Sequence, residues 1–227
     1  MAGVVTALVS QKRNAQRINV FIDGKFAFSL SRIVAAWLKV GQFLPDEKIE
    51  QLKQEDAREA AMQSALRLIS VRPRSEAEIR ERLQSKNFPE NVVESVISRL
   101  KESGLVGDVE FARLWLEQRQ HFRQKSRKVI AMELRQKGVT DEIIQEVLAE
   151  SPGDDQTAYF AGQKYLRRII HLGKREFFQK MVTYLARKGF SYEVSRETAN
   201  RLWEEISDGS SKFDGREDTE KWDNLDG

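Results

Sequence analysis

The sequence predicts a mainly α-helical protein, an elongated solenoid of three tandem three-helix repeats that follows a small N-terminal β-hairpin or three-stranded β extension. Two observations predict it. The segment ERLQSKNF (81–88) returns as MELRQKGV (132–139) and as TYLARKGF (183–190), at intervals of 51 residues. Residues 4–30 instead alternate between apolar and polar side chains, as strands do. Helical units of this kind are expected to stack, because one unit alone would leave its apolar faces uncovered.

The recurring segment is predicted to be a helix with one apolar stripe, which we call the stripe helix. Leu83, Leu134 and Leu185 each follow another apolar residue by four positions, so both lie on one helix face. Each helix then meets a residue that tolerates a positive φ: Asn87, Gly138 and Gly189. A lysine precedes each of these residues in the last turn, where the helix dipole favours a cation. The sequence therefore assigns these lysines to helix termination.

Every repeat is predicted to contain three helices. A helical segment precedes each stripe helix, at about 57–70, 108–121 and 157–170, and a further helix follows it. Ser75 opens the first stripe helix with a capping box, and Ser126 repeats the cap. The predicted domains are a β-rich extension at 1–44, helical repeats at 45–107, 108–153 and 154–206, and an acidic, disordered tail at 207–227.

The N-terminal extension is predicted to contain three strands, VVTALVS (4–10), INVFI (18–22) and KFAFSL (25–30). The dipeptide Asp23-Gly24 between the last two is a strong hairpin signal. Because a two-stranded hairpin is marginally stable, it needs the first strand as a partner. A short helix near 31–38 and another that starts at Pro45 are expected to cover its apolar face.

Composition argues against several classes of protein. The chain has no cysteine, which excludes disulfides and thiolate-ligated metal. Its start lacks the features of a signal peptide, and no apolar run is long enough to span a bilayer, so we expect a cytoplasmic protein that does not act in the membrane. We also expect a monomer. The two histidines, His121 and His171, lack partners at ligand spacing, and no nucleotide-binding loop is present. We therefore predict no enzyme activity, no catalytic residue, no metal site and no cofactor.

Positive charge is concentrated in one part of the sequence. Residues 113–137 contain eight Arg or Lys against two Glu, whereas residues 207–227 contain seven acids and three bases. The turns before the three stripe helices, SVRPRS (70–75), HFRQKS (121–126) and IIHLGKR (169–175), are all basic. In a solenoid such turns would line one edge and could meet DNA phosphates, although they could equally be ordinary solvated turns. The predicted DNA-binding residues are Arg119, Arg123, Lys125, Arg127, Lys128, Arg135, Arg167, Arg168, Lys174 and Arg175, with Lys12, Arg13 and Arg17 as weaker candidates.

The segments RPRSEAEIRERLQSKNF (72–88) and GLVGDVEFARLW (104–115) resemble the RecX family of recombinase regulators. The resemblance is strongest over about 57–150, continues more loosely to about 206 and excludes the tail. Gly107 departs from it, at a position where the family pattern has an acidic residue. The resemblance implies a protein that binds the RecA recombinase and lies along the groove of the RecA–single-stranded DNA filament. It implies inhibition of RecA ATPase and strand exchange in recombination and DNA repair, without an enzyme activity of its own.

Two other functions stay open from the residues alone. One is a DNA-binding protein that competes with RecA for DNA, and the other is a helical scaffold that binds a protein without nucleic acid. Binding to RecA in the absence of DNA would argue against the first. Binding that depends on salt and DNA would argue against the second.

Overall fold

The structure is a computed structural model that describes residues 2–209. The described chain divides into two compact units, one of residues 2–116 and 132–149 and the other of residues 117–131 and 150–209. The predicted acidic tail lies outside the described residues from residue 210 onward.

The first unit begins with a four-stranded antiparallel sheet of strands β1 (Gly3–Gln11), β2 (Asn14–Ile22), β3 (Lys25–Ser31) and β4 (Phe43–Leu44), in the order β3-β2-β1-β4. The predicted hairpin is confirmed: Asp23 and Gly24 adopt φ values of 48° and 78°, and Val20 pairs with Phe28. Sequence reasoning missed β4, because a strand of two residues has no alternation of its own.

Helices α1 (Arg32–Ala35) and α2 (Asp46–Ile69) follow the sheet. Val5, Val20 and Leu30 of the sheet are fully buried in one cluster with Leu52 of α2. We predicted one helix from Pro45 and a separate segment at 57–70; the separation is wrong, because no Gly or Pro interrupts 46–69 and the whole stretch is α2. Arg17, a weaker DNA candidate, donates to both carboxylate oxygens of Asp56 at 2.8 and 2.9 Å and so attaches the sheet to α2.

The first helix triplet consists of α2, α3 (Glu76–Gln84) and α4 (Glu90–Glu102). Its stripe residues Ile79 and Leu83 are fully buried, and the capping box at Ser75 is present. The second triplet consists of α5 (Asp108–Glu117), which continues into a π-helical turn at Gln118–Phe122, and of α6 (Arg127–Gln136) and α7 (Asp141–Ala149). The third consists of α8 (Asp154–Ile169), α9 (Lys174–Arg187) and α10 (Tyr192–Ser207).

The three predicted triplets are confirmed. The hydrophobic cluster around Ile79 and Leu83 draws all its residues from the first triplet, and the cluster around Phe177 and Leu185 draws all of its own from the third. Each of these triplets therefore encloses a core by itself. Polar contacts at the N-termini of the first two stripe helices connect consecutive triplets.

The first joint, within the first unit, connects the first and second triplets. The hydroxyl of Ser75, the buried N-cap of α3, donates to the carbonyl oxygen of Lys137 at 2.6 Å. The next backbone amide, of Glu76, donates to a carboxylate oxygen of Asp108, the first residue of α5, at 2.9 Å. Helix-end amides that lack an intrahelical partner are thus satisfied by the following triplet.

The second joint, within the second unit, repeats this arrangement between the second and third triplets. The amide of Ser126, just before α6, donates to the carbonyl oxygen of Lys188 at 3.1 Å. The amide of Arg127 donates to a carboxylate oxygen of Asp154, the first residue of α8, at 2.8 Å. In both joints, therefore, the backbone carbonyl of the lysine that ends a stripe helix accepts a hydrogen bond from the serine at the start of the stripe helix in the preceding triplet.

Glycine is required at both joints for space as well as for conformation. Gly138 has a φ of 77°, and a Cβ added to it would lie 2.3 Å from the Cβ of Ala77. Gly189 has a φ of 92°, and its Cβ would lie 2.2 Å from a methyl carbon of Val129. The predicted positive φ values are confirmed, and the close approach is a second reason for glycine that the sequence did not reveal.

A cluster of four charges surrounds the first joint. The Glu78 carboxylate lies 2.7 Å from Arg72, 2.8 Å from Lys137 and 3.8 Å from Arg74. Burial raises the pKa of Glu78, but hydrogen bonds from Arg72 and Lys137, together with their charges, outweigh burial and lower that pKa to about 2. One carboxylate thus balances three cations brought together by the fold.

We predict that Gly138→Ala destabilises the protein more than Gly104→Ala. Both glycines have positive φ, and alanine there costs about 1–2 kcal/mol. A Cβ at Gly104 would meet nothing within 4 Å, whereas at Gly138 it overlaps Ala77 and costs about 1–3 kcal/mol more. Urea unfolding of both variants measures the difference, and equal losses would show that the joint has room for a side chain.

We predict that Glu78→Gln lowers the free energy of unfolding by about 2 kcal/mol at pH 7, after allowing for solvent screening of the partly exposed Arg72. Because the folded-state pKa of Glu78 is depressed, its stabilisation is complete above the unfolded-state pKa of about 4.5 and is lost as the pH falls towards 2. Urea unfolding at pH 7 and pH 3 should therefore show a smaller difference between the two proteins at pH 3.

Glu94→Gln is the matched control, because Glu94 forms an ion pair with Arg80 that lies largely in solvent. Its loss should cost less than about 1 kcal/mol. A gap between wild type and Glu78→Gln that does not change with pH would rule out a depressed pKa at Glu78.

Candidate nucleic-acid interface

Residues 2–209 contain no group of three His, Asp or Glu placed to hold a metal ion. No helix in that range is both long and apolar enough to cross a bilayer. The features that stand out are the basic side chains of the second unit, which contains most of the predicted DNA-binding residues.

The predicted residues are concentrated in the second unit. Only Arg135, near the end of α6, belongs to the first unit. The others lie in four places: the π-helical turn, the loop after it, the first turn of α6, and the α8–α9 connection with its flanking turns. In that order they are Arg119; Arg123 and Lys125; Arg127 and Lys128; and Arg167, Arg168, Lys174 and Arg175.

Some of these side chains already bind within the protein. The Arg127 guanidinium donates to the carbonyl oxygens of Pro152, at 3.1 Å, and Ser151, so it closes the turn after α7. Arg135 forms an exposed ion pair with Asp141 at 2.7 Å. In the first unit, Arg72 and Arg74 of the equivalent basic turn are committed to Glu78. Guanidinium donors used in this way are not available to a phosphate.

Other predicted residues point into solvent. Lys128, Lys174 and Arg175 are exposed, and within residues 2–209 their side chains have neither a hydrogen bond nor an ion pair. All three lie in the first turn of a helix, α6 or α9, where the helix dipole disfavours a cation. A base placed there is stabilised by an anion that binds the same helix end, which favours a phosphate contact over a purely solvated role.

Sequence reasoning missed one basic and aromatic cluster in the second unit. The rings of Tyr165 and Tyr184 stack with centroids 4.1 Å apart, and the Lys188 ammonium lies 5.2 Å from the Tyr184 centroid. That ammonium donates to the carbonyl oxygen of Arg123 at 2.5 Å. Burial lowers the pKa of Lys188, and the positive charges of Lys164 and Lys125 lower it further.

Lys188 was predicted to terminate α9, and it does end that helix, but its side chain has this further role. Its partners lie far away in the sequence, so the local pattern could not indicate them. The available signal was the 51-residue register itself, which aligns Lys188 with Lys137 and hence with a joint between triplets.

Comparison with family models assigns almost the whole described chain. Residues 3–44 match the regulatory protein RecX N-terminal domain. Residues 61–100, 108–148 and 153–204 match the first, second and third RecX three-helix domains.

Several proteins named regulatory protein RecX are similar to the chain. The protein from Listeria innocua is 33% identical over 206 residues, covering 89% of this chain and 77% of that protein. The protein from Bacillus subtilis is 32% identical over 221 residues, covering 96% and 80%. These alignments extend through all three triplets.

Two crystal structures share the fold. A structure of regulatory protein RecX superposes with a TM-score of 0.64 at 26% identity, covering 92% of this chain and 100% of that one. RecX from Lactobacillus salivarius superposes with a TM-score of 0.58 at 24% identity, covering 65% and 97%. With its N-terminal domain, its three helix triplets and its relatives all in agreement, the chain belongs to the RecX family of regulatory proteins.

Proposed function

We propose that this protein regulates the RecA recombinase: it binds the RecA–single-stranded DNA filament along its groove and inhibits ATP hydrolysis and strand exchange. Family membership supports a regulatory role. The single observation that supports contact with DNA is the set of exposed bases Lys128, Lys174 and Arg175, which face solvent at the starts of two helices. The protein acts as a cytoplasmic monomer without a cofactor in this proposal.

DNA phosphates provide the attraction. Each phosphate that a Lys or Arg neutralises releases condensed counterions, so affinity falls steeply as salt rises. Such contacts do not read sequence, which suits a protein that must bind a filament wherever it forms. Three helix triplets give several weak contacts on one chain, and contacts on one chain add through their effective concentration.

Inhibition follows from binding more than one RecA protomer at once. In this proposal, ATP turnover in the filament involves movement of its protomers relative to one another, and a bound regulator hinders that movement. A regulator that binds the filament better in one arrangement shifts the population towards that arrangement, by as much as its affinities for the two arrangements differ.

We predict that the purified protein, added in stoichiometric amounts to RecA–single-stranded DNA filaments, lowers the DNA-dependent ATPase rate and slows strand exchange. Coupled ATPase assays and electron microscopy of filament length, run on the same samples, separate restraint from disassembly. An ATPase rate and a strand-exchange yield that stay unchanged at excess protein would refute the proposal.

We predict that the triple variant Lys128→Ala, Lys174→Ala, Arg175→Ala binds single-stranded DNA more weakly, with a shallower dependence on salt. Each lost phosphate contact reduces the slope of log affinity against log salt by about 0.7. Fluorescence anisotropy of a labelled oligonucleotide over a range of salt concentrations measures that slope. Arg127 is left unchanged because its bonds to Ser151 and Pro152 hold the fold.

The matched control is Lys48→Ala, Lys53→Ala, Arg82→Ala, which removes the same charge from exposed positions in the first unit. It should change the slope much less. Equal slopes for wild type and the first triple variant would mean that none of these three bases meets a phosphate.

A second candidate, protein binding without nucleic acid, is favoured by a group of exposed apolar residues in the N-terminal region. Trp37 is 87% exposed, and Val40 and Phe43 are 63% and 59% exposed. Aromatic side chains exposed in this way are typical of protein-binding surfaces. A pull-down of RecA with and without DNA separates the alternatives. Capture of RecA without DNA would argue against a protein that only competes with RecA for DNA. Capture that depends on DNA and on salt would argue against a scaffold that binds protein alone.

A further inference from the structure

One aromatic side chain of the second unit points into solvent from an unusual turn. Phe122 is the last residue of the π-helical turn Gln118–Phe122, and it is 72% exposed. The imidazole ring of His121 packs on it with centroids 5.2 Å apart and ring planes at 84°. Such an edge-to-face pair covers at most one face of the phenyl ring, so the other face is open to a flat ligand.

The backbone around Phe122 is held in a conformation that residues other than glycine rarely adopt. Gln124 has a φ of 42°. Its side-chain amide is buried and donates to the carbonyl oxygen of His121 at 2.8 Å. The backbone amide of Lys125 donates to the carbonyl oxygen of Arg119 at 3.2 Å and closes the turn. These bonds fix the place of the ring before any ligand binds, and π-helical turns and unusual φ values are both frequent at functional sites.

The repeat shows that this turn does not need a phenyl ring in order to fold. The residues 51 positions before and after Phe122 are Val71 and Gly173, in the corresponding turns of the first and third triplets. Val71 is exposed as well, and single exposed apolar residues are common on protein surfaces. An aromatic ring at only one of the three turns, in the unit that carries the exposed basic residues, is better explained by a ligand than by folding.

Positive charge lies next to the ring. Arg123 directly follows Phe122 and is exposed, and none of the described residues gives its guanidinium a hydrogen bond or an ion pair. Its carbonyl oxygen accepts from the Lys188 ammonium at 2.5 Å, which anchors the backbone that carries this guanidinium. Lys128, six positions after Phe122, is exposed too. An open aromatic face beside such cations suits a ligand that combines flat rings with negative charge, as a nucleic-acid strand does.

We propose that Phe122 stacks on an unpaired nucleobase of a single DNA strand whose phosphates meet Arg123 and Lys128. The proposal rests on the proposed function and deepens it, because the added contact makes the protein prefer single-stranded to duplex DNA. In a duplex each nucleobase is already stacked between its neighbours, so it cannot lie on the ring. Every nucleobase has a flat face, so the contact does not read sequence.

The test removes the ring and then restores it. Phe122→Leu keeps an apolar side chain of similar size, and Phe122→Tyr keeps the aromatic face. Binding of a single-stranded oligonucleotide, measured by fluorescence anisotropy without RecA, should be about tenfold weaker for Phe122→Leu and within about twofold of wild type for Phe122→Tyr. Binding of the corresponding duplex should change less than about twofold in both variants. An unchanged affinity of Phe122→Leu for the single strand would refute the proposal.

The matched control is Phe160→Leu, because Phe160 is another exposed phenylalanine of the second unit. It lies on α8 beside Tyr159, whose hydroxyl donates to the Glu205 carboxylate, so its surroundings do not favour a polyanion. Phe160→Leu should change the affinity for the single strand less than about twofold. A loss as large as that of Phe122→Leu would mean that stacking at this turn is not what binds the strand.

A strand of abasic nucleotides tests the nucleobase directly, because it keeps every phosphate and loses every ring. Wild type and Phe122→Leu should bind this strand equally. On the ordinary strand both should show the same slope of log affinity against log salt, since no phosphate contact is lost. An equal loss on both strands, or a shallower slope for Phe122→Leu, would show that Phe122 acts through the phosphate contacts and would overturn the proposal.

A protein partner is the other class of molecule that an exposed phenylalanine could meet. Loss of RecA capture by Phe122→Leu in the absence of DNA, together with unchanged oligonucleotide binding, would assign the ring to a protein contact and overturn the stacking. The proposed function is judged separately, by the RecA ATPase rate. Normal inhibition by a Phe122→Leu protein whose oligonucleotide binding matches that of wild type would remove the stacking contact and leave the function.

Discussion

The repeated structure depends on how one helix N-terminus is satisfied. The first two stripe helices each begin next to a serine, and the following triplet provides two acceptors. A lysine carbonyl accepts from the Ser75 hydroxyl in the first joint and from the Ser126 amide in the second, and an aspartate accepts from the next backbone amide in both. Glycine beside that lysine lets the two backbones approach, because any side chain would meet the facing helix. The same kind of polar contact is thus found between the first and second triplets and between the second and third.

The hydrogen bonds of a joint also bring positively charged side chains close together. The lysine that ends one stripe helix and the basic turn that starts the previous one are brought together by the same hydrogen bonds. At the first joint the Glu78 carboxylate balances these charges.

Local periodicity was sufficient to predict the triplets, the hairpin and the helix ends, because these depend on neighbours in sequence. It failed for β4, because the two residues of that strand are recognisable only from their pairing with β1. It also failed for α2, which we divided into two segments although no glycine or proline lies between them. At the candidate site it identified bases but not their partners: Arg127 and Lys128 look alike in sequence, yet one binds carbonyls and the other faces solvent. The tertiary contacts that separate them span tens of residues.

The unbroken α2 has a mechanical consequence. At 1.5 Å per residue, its 24 residues make a rod of about 36 Å that belongs to the sheet at one end and to the first triplet at the other. Arg17 clamps the sheet to the middle of that rod through Asp56. Because no break interrupts α2, a force applied to the N-terminal sheet is transmitted to the first triplet, and the sheet and the triplet move together.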